Sequence, residues 1–323
     1  MKSKFRILLA AAAVAAGVIS MAVSAAPAWA AKYRIGFAVG DVGNPFHTRV
    51  WKTAQSAAKE HDVDLVILDT KRDLNTEANN IDQLIAQKVD LIMVMPTSAQ
   101  GSLAALDRAI AAKIPVMNVL DSAQGSGSKY RYIGSDFEPW GPNQVEKMAQ
   151  LLGNKGNIVY IKGGAGFLVE ENRDKSFKEA MKAHPQMKVV FEQYGDWNKP
   201  SGVTLMEDAL SRSPQPNSIH GVIAHNDNMA LGAVEALKRA NRLSEVVVGG
   251  SDGNADALQS ILAGELRFTT FQDGETIGTK AIETALEVLA GKNPPMLIGV
   301  PWVMIDSKEL AAKYLKNVYG LNP

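Results

Sequence analysis

The feature that most constrains this chain is a repeated alternation of short apolar runs with longer amphipathic segments. The short runs are rich in β-branched residues and predict strands, whereas the segments between them have apolar residues at helical spacing. Such alternation is typical of a parallel sheet whose strands are joined by crossover helices. The first strands are predicted at 33–39, 63–69, 90–95 and 114–120. This part of the chain therefore predicts a doubly wound α/β domain.

The alternation restarts after a Gly/Ser-rich loop at 122–129. We interpret the extended segment at 130–134 as the crossing into a second domain. Further strands are predicted at 157–161, 188–194, 218–224, 245–250, 266–271 and 299–305. A chain of 323 residues is long enough for two such domains, each with its own core. The loops at the carboxyl ends of their strands would then face each other.

The first thirty residues have the pattern of an export signal. The first six residues include three basic ones, residues 7–23 are apolar and Ala-rich, and residues 28–30 read Ala-Trp-Ala, an A-x-A cleavage site. An uncleaved membrane anchor is the alternative, because the apolar stretch is almost long enough to span a bilayer. The small-residue site favours cleavage and a mature protein that starts at Ala31.

Charge and cysteine content limit the possible partners and the compartment. Basic and acidic residues number 34 each, so the formal net charge is zero, and no basic run could follow a phosphate backbone. The chain has no cysteine, hence no lipid-attachment site and no disulfide. Export without disulfides favours a bacterial periplasm, and nucleic acid is a poor candidate partner.

Polar side chains follow an apolar run near the middle of the chain. Residues 223–233 read as strand, tight junction and helix, with Asn226 and Asp227 at the junction. Ligands of open α/β sheets bind beyond the carboxyl ends of the strands. Asn and Asp are also favoured helix N-caps, so capping is the alternative role for both residues.

A similar junction follows the first predicted strand. Asn44 precedes Pro45 and must therefore be extended, which would direct its amide outward, and Phe46 and His47 add an aromatic ring and an imidazole. An ordinary turn capped by Asn44 is the alternative.

Two carboxylates, Asp121 and Asp252, also end predicted strands. An ionised carboxylate can accept two strong hydrogen bonds from hydroxyl groups, which suits a polyhydroxyl ligand. Helix caps or Asx-turns would explain both residues equally.

Arg173 lies near the start of a predicted helix, where the helix dipole disfavours a cation. Its planar fork could bind a ring oxygen and a hydroxyl, although a salt bridge to Glu170 or Asp174 fits the spacing as well. Trp197 could stack on the C–H face of a sugar or pack under a loop, and Gln272 follows a strand end.

Motifs of catalysis are absent. The sequence has no Gly-x-Ser-x-Gly, no His-Glu-x-x-His, no cysteine nucleophile and no metal-ligand spacing among its five histidines. The glycine run at 163–166 does not match a nucleotide-binding motif. We therefore expect a binding protein without cofactor or metal, and not an enzyme.

Across the mature chain these residues resemble the type I, ribose-binding-protein-like family of periplasmic sugar-binding proteins of ABC importers. The matching stretches are Asn44-Pro45-Phe46, Pro96-Thr97, Leu120-Asp121, Arg173 with Phe177, the run 225–233, Ser251-Asp252-Gly253 and Phe271-Gln272. The resemblance implies two Rossmann-like lobes with parallel sheets, joined by three crossovers and closed by a hinge motion. The expected lobes are 31–134 plus 273–300 and 135–272 plus 301–323.

The resemblance also implies that hydroxyl groups or the ring oxygen of the ligand are bound by Asn44, Asp121, Arg173, Asn226, Asp252 and Gln272. The predicted ligand-binding residues are these six together with Phe46, Trp197 and His47, the last of which lies in the same loop as Asn44 and Phe46. Phe46 and Trp197 would stack on the ligand, Asn226 would contact it, and Asp227 would cap the helix. Three departures concern specificity: Met95 stands where ribose-type proteins carry Asn, His47 where they carry a second aromatic residue, and Ser122 where they carry Arg.

These features predict a monomeric substrate-binding component of an ABC transporter. It would bind a monosaccharide or sugar alcohol between its lobes and deliver it to a permease in the inner membrane. A sensory protein that presents its ligand to a chemoreceptor or kinase is the alternative, since the same cleft would serve both roles.

The signal predicts the mass of the exported protein. Cleavage after residue 30 leaves Ala31 as the first residue, and intact-mass measurement of the protein recovered from the periplasm checks this. A mass that includes Met1 would contradict the prediction and favour the membrane anchor.

Overall fold

The fold is described by a computed structural model for residues 31–123, 129–136 and 139–323. The predicted export signal and residues 124–128 of the predicted Gly/Ser-rich loop lie outside these residues. In chain order the elements are β1 (Tyr33–Val39), α1 (Pro45–Glu60), β2 (Val63–Asp69), α2 (Leu74–Ala86), β3 (Leu91–Val94), α3 (Leu103–Ala111), β4 (Val116–Val119), β5 (Arg131–Ser135), α4 (Trp140–Leu152), β6 (Gly156–Lys162), α5 (Leu168–Met181), β7 (Met187–Tyr194), α6 (Lys199–Arg212), β8 (Gly221–Ala224), α7 (Asp227–Arg239), β9 (Val247–Asp252), α8 (Ala255–Ala263), β10 (Phe268–Phe271), α9 (Gly274–Leu289), β11 (Leu297–Val300), β12 (Val303–Ile305) and α10 (Lys308–Tyr319).

The strands form two six-stranded sheets, one in each lobe. The first sheet has the order β11-β5-β4-β3-β1-β2, and the second has the order β12-β10-β9-β8-β6-β7. The recorded pairs are parallel except that of β10 with β12, which is antiparallel. The predicted α/β class with two doubly wound lobes is confirmed.

The strands of both sheets have helices on their two faces. Parallel strands covered in this way read as continuous apolar runs, because both sets of alternate side chains are buried. In the four-residue strands β3, β4 and β8 every residue is buried. The short apolar runs of the sequence therefore correspond to the central strands.

The chain passes between the sheets after β5, after β10 and between β11 and β12. The prediction of one strand at 299–305 is wrong, because these residues belong to two strands in different sheets. Pro301 lies between them, and a proline cannot donate to a strand ladder. The Trp302 Nε1 group donates to the Asp136 carbonyl and so ties the third crossing to the first.

The helix α8 and a short 3-10 turn at Leu243–Glu245 had no sequence-based prediction. The helix α8 has only nine residues between Gly253 and Gly264, both with positive φ. Its length and glycine boundaries are equally typical of a loop, and nine residues are too few for a helical period to be recognised in the sequence.

Two helices of the second lobe approach each other at glycines. A Cβ at Gly202 would overlap the backbone of Met229, and a Cβ at Gly232 would overlap the Lys199 carbonyl and lie 2.7 Å from the Val203 nitrogen. The start of α6 is thereby held against the first turns of α7. This contact fixes the relative position of the two loops that precede these helices.

No helix in the described ranges combines the length and apolar character needed to cross a bilayer.

The close contact of α6 and α7 predicts a costly substitution. Gly232→Ala should lower the free energy of unfolding by about 1–3 kcal/mol, because the added methyl group overlaps rigid backbone. Gly299→Ala is the matched control, since its Cβ would meet no atom closer than 3.7 Å. Chemical denaturation of both variants checks the difference, and equal stability would contradict the packing described.

Candidate functional site

A cleft of about 620 Å³ lies between the lobes, at the carboxyl ends of the strands. All nine residues predicted to bind ligand line it. Eight further lining residues were not predicted as ligand-binding: Gly40, Arg72, Met95, Pro96, Thr97, Leu120, Phe167 and Val169. The lining combines apolar walls with a few polar groups, as the linings of small-molecule sites do.

The first-lobe carboxylate Asp121 reaches across to the second lobe. Its Oδ1 atom accepts hydrogen bonds from the backbone nitrogens of Ser122 at 2.8 Å and Val169 at 3.1 Å. Val169 is in the first turn of α5, where unpaired N–H groups favour an anion. The Oδ2 atom is buried and has no partner among the described residues. Burial raises the pKa of Asp121 to about 7.

The second-lobe carboxylate Asp252 is held at the end of β9. Its Oδ1 atom accepts from the Gln272 Nε2 group at 2.7 Å, and the Oε1 atom of Gln272 accepts from the Ser135 hydroxyl at 2.7 Å. Burial raises the pKa of Asp252 to about 6, although Arg173 opposes this shift. Gln272 therefore links a carboxylate of one lobe to the last strand residue before the first crossing.

Arg173 is a buried cation between these two carboxylates, with 3% of its surface exposed. Its Nη1 group donates to the His225 carbonyl, whereas its buried Nε group has no partner among the described residues. Burial lowers the pKa of Arg173, and Asp252 and Asp121 oppose this shift. A guanidinium nonetheless remains charged in proteins.

Three indole rings surround the same guanidinium. Its carbon lies 5.3 Å from the ring centre of Trp140, 5.7 Å from that of Trp197 and 5.2 Å from that of Trp302. Cations within about 6 Å of an aromatic face are attracted by the ring quadrupole.

The suggested salt bridges of Arg173 do not form. Glu170 instead pairs with Lys162 at 3.6 Å, and Asp174 pairs with Lys178 at 2.9 Å. The alternative that the sequence left open, a purely local ion pair, is therefore wrong.

His225, whose carbonyl accepts from Arg173, is itself held by hydrogen bonds of its imidazole ring. Its Nδ1 atom accepts from the Gly163 nitrogen at 3.0 Å, so the proton must be on Nε2, which lies 2.6 Å from the Tyr160 hydroxyl. Burial lowers the pKa of His225 well below its ordinary value, with Arg173 adding to the effect. A neutral imidazole thus fixes the backbone carbonyl that holds Arg173.

Three predicted residues of the first lobe begin α1. Asn44 is extended, with φ −67° and ψ 128°, as the following proline requires. Its Oδ1 atom caps the helix by accepting from the Phe46 and His47 nitrogens at 3.0 and 3.1 Å. Burial lowers the pKa of His47 to about 3, and Arg72 adds to this shift. His47 is therefore neutral in the cleft.

The roles predicted for Asn226 and Asp227 require a correction. Asn226 is the N-cap of α7, because its Oδ1 atom accepts from the Met229 nitrogen at 3.0 Å. Asp227 caps no helix of its own but accepts from the Thr269 hydroxyl at 2.7 Å and the Asn254 nitrogen at 2.8 Å. Side chains one residue apart point differently at a helix start, so residue order alone could not assign the cap.

The glycine run at 163–166 makes room for an aromatic wall. A Cβ at Gly163 would overlap the ring of Trp197, and one at Gly164 would lie 2.8 Å from the ring of Phe167. Trp197 has a positive φ of 64°, and its carbonyl accepts from the Asn226 amide at 2.9 Å. Gly163 and Gly164 therefore leave space for these rings.

Several lining residues were missed although a sequence signal existed. Arg72 follows β2, and Phe167 precedes α5, so both occupy the same kind of strand-end loop as the predicted residues. Searching every strand-end loop for aromatic and cationic side chains, as well as for Asn and Asp, would have found both residues. Across the described ranges no group of three or more His, Cys, Asp or Glu side chains is suited to holding a metal ion.

Comparison with known proteins supports the resemblance inferred from the sequence. A family model described as a periplasmic binding protein domain matches residues 35–293. The ribose import binding protein of Bacillus subtilis is 32% identical over 270 residues, which cover 84% of this chain and 86% of that protein. The xylitol-binding protein of Mycolicibacterium smegmatis is 30% identical over 320 residues, covering 97% of this chain and 89% of that protein.

A solved structure agrees with both. It is an ABC transporter solute binding protein from Bacillus halodurans with bound myo-inositol, and it matches with a TM-score of 0.82 and 25% identity, covering 88% of this chain and 98% of that one. The family consists of solute-binding proteins and not of enzymes. The two lobes, the cleft between them and these matches together place the chain in the type I, ribose-binding-protein-like family of periplasmic sugar-binding proteins of ABC transporters.

Proposed function

We propose that this protein binds a monosaccharide, either a pentose or a hexose, or a sugar alcohol between its lobes and delivers it to an ABC permease. It would act as a monomer in the periplasm. The observation that carries the proposal is the combination of two buried carboxylates, Asp121 and Asp252, with a buried Arg173 in one cleft.

The polar groups of the cleft suit hydroxyl groups. Asp121 Oδ2 and Arg173 Nε are buried without a protein partner in the described part of the chain, and such atoms are rare in folded proteins. A hydroxyl group can donate to the carboxylate and accept from the guanidinium at the same time. A polyol would therefore satisfy both atoms.

The apolar walls suit the C–H faces of a sugar. Phe46 lines the cleft from the first lobe, and Phe167 and Trp197 line it from the second. An aromatic face that packs on these C–H groups shields them from water, and the hydroxyl groups at the edge of the sugar ring remain free to form hydrogen bonds. Met95 lines the cleft too, where ribose-type proteins carry an amide, so one hydroxyl partner is missing.

The relatives bind ligands of the same chemical class. By their names they take ribose and xylitol, and the matched structure holds myo-inositol. All three are uncharged polyols, which fits a cleft whose acidic and basic groups are balanced. Delivery to a permease is inferred from the transport role that these names state.

Contacts between the lobes support a closed arrangement around the ligand. The Ala99 nitrogen donates to the Gly166 carbonyl at 3.1 Å, and Arg49 Nη2 donates to the Asp252 carbonyl at 2.8 Å. Both join first-lobe residues to second-lobe residues. A ligand that contacts both lobes would stabilise this arrangement and be shielded from water within it.

A thermal-shift screen tests the proposal. The panel contains pentoses, hexoses and polyols, among them ribose, xylitol and myo-inositol. A compound that binds only the folded state at a hundred times its Kd stabilises the protein by about 2.7 kcal/mol and raises its Tm. Amino acids of similar size are the control, and a panel in which no sugar or polyol shifts the Tm would overturn the proposal.

Opposite pH dependences of stability and binding are expected from Asp121. A carboxyl group with a raised folded-state pKa stabilises the fold fully at low pH and less as the pH rises through that value, here about 7. We therefore compare the unfolding free energies of the ligand-free wild type and of Asp121→Asn. The wild-type value minus the variant value should decrease as the pH rises from about 4 to about 7. Denaturation at several pH values measures this difference.

Sugar affinity should change in the other direction. A hydroxyl group donates best to the ionised carboxylate, so binding should weaken as the pH falls below about 7. In Asp121→Asn, the affinity measured by calorimetry should depend less on pH, since Asp252 is then the only one of the two carboxyl groups that still titrates. Identical profiles for both proteins would remove Asp121 from the site.

A further inference from the structure

Arg72 brings a second guanidinium to the cleft. It belongs to the loop after β2 in the first lobe, whereas Arg173 comes from the second lobe. Arg72 lines the same cavity as His47, Trp197 and Asp252. Each lobe therefore contributes one arginine to the cleft.

The loop that carries Arg72 has an unusual backbone. Lys71 and Arg72 have φ values of 53° and 54°, a left-handed conformation that residues other than glycine seldom adopt. The Arg72 nitrogen donates to the Gly40 carbonyl at 2.8 Å, and the Thr70 hydroxyl donates to the same carbonyl at 3.2 Å. These bonds to the end of β1 hold the strained loop in place. Strained residues of this kind cluster at ligand sites.

The guanidinium of Arg72 is poorly used by the protein itself. Its Nη1 atom lies 3.5 Å from the Asp196 carbonyl, which is longer than a normal hydrogen bond. Burial lowers the pKa of Arg72, and Asp41, Asp252 and Asp196 oppose this, yet no ion pair with it is recorded in the described residues. Most of its five N–H donors thus remain for a ligand.

The position expected to supply an arginine does not do so. Ser122, which follows Asp121, is buried and accepts from the Asn118 amide at 3.2 Å, while its own hydroxyl donates to the Ala123 carbonyl at 3.1 Å. Ser122 does not line the cleft. Arg72 supplies a guanidinium from the loop after β2 instead, where Asp41, Asp196 and Asp252 are the charged groups that act on it.

We propose that Arg72 donates hydrogen bonds to an oxygen of the bound sugar or polyol and thereby determines which ligand this protein selects. The inference rests on the proposed function and extends it in two ways: it adds Arg72 to the ligand-binding residues, and it requires the ligand to be uncharged. When both carboxyl groups are ionised, Asp121 and Asp252 match Arg72 and Arg173 in charge among the residues that line the cleft, and an uncharged ligand leaves this match intact. A sugar acid would add an uncompensated negative charge.

The test compares Arg72→Gly with the matched control Lys71→Gly. Both substitutions relieve a left-handed residue, so neither ligand-free variant should melt below wild type. Lys71 is exposed and does not line the cleft, so Lys71→Gly should keep wild-type affinity for the best-bound compound of the screen. Arg72→Gly should bind that compound about ten- to a hundredfold more weakly, because a charged hydrogen bond is lost.

Monodeoxy derivatives of the same compound separate direct contact from a structural effect. For one derivative, the one that lacks the contacted oxygen, wild type and Arg72→Gly should bind equally well. An Arg72→Gly protein that matches Lys71→Gly in affinity, or that loses the same factor for every derivative, would overturn the proposal while the proposed function stands. A sugar acid bound more tightly than the neutral compounds would contradict the charge balance. A wild-type protein that binds no sugar or polyol would overturn both.

Discussion

Burying a guanidinium between two lobes is costly unless opposite charges and hydrogen-bond acceptors surround it. Arg173 meets this condition only because the two lobes supply partners together: Asp121 comes from the first lobe and Asp252 from the second. The carbonyl of His225 and the ring of Trp302 complete its surroundings. Since Trp302 lies on the third crossing, the connection between the lobes contributes one of the rings beside Arg173.

Helix starts serve two purposes in this protein. Asn44 and Asn226 cap α1 and α7 through their carbonyl oxygens and also line the cleft. Capping fixes each side chain in one orientation, which reduces the conformational entropy that a ligand contact must overcome. The close glycine contacts of α6 and α7 act in the same direction, since they fix the loops that carry Trp197 and Asn226. The cleft is thus largely organised by contacts that also stabilise the lobes.

Residues at strand ends were predictable because parallel strands bring their carboxyl ends to one edge of a sheet. This rule selected Asp121, Asp252 and Gln272, and the structure brings all three to the cleft. Arg72 also follows a strand end but was not selected, because a long cation in a loop is usually solvated. In the structure Arg72 lines the cleft, and its left-handed backbone is held by the bond of its nitrogen to the Gly40 carbonyl.

The sequence by itself determined the α/β class, the two lobes and the residue types at the strand ends, because hydrophobic period and strand-end polarity are local properties. Only the tertiary structure decided that 299–305 divides between two sheets, that Asn226 and not Asp227 caps α7, and that Gly163 and Gly164 accommodate rings. The division between sheets and the packing of Gly163 against Trp197 depend on atoms from distant parts of the chain, as do the bonds of Asp227 to Thr269 and Asn254. Such contacts leave no periodic trace in the order of residues, whereas the elements that carry them do.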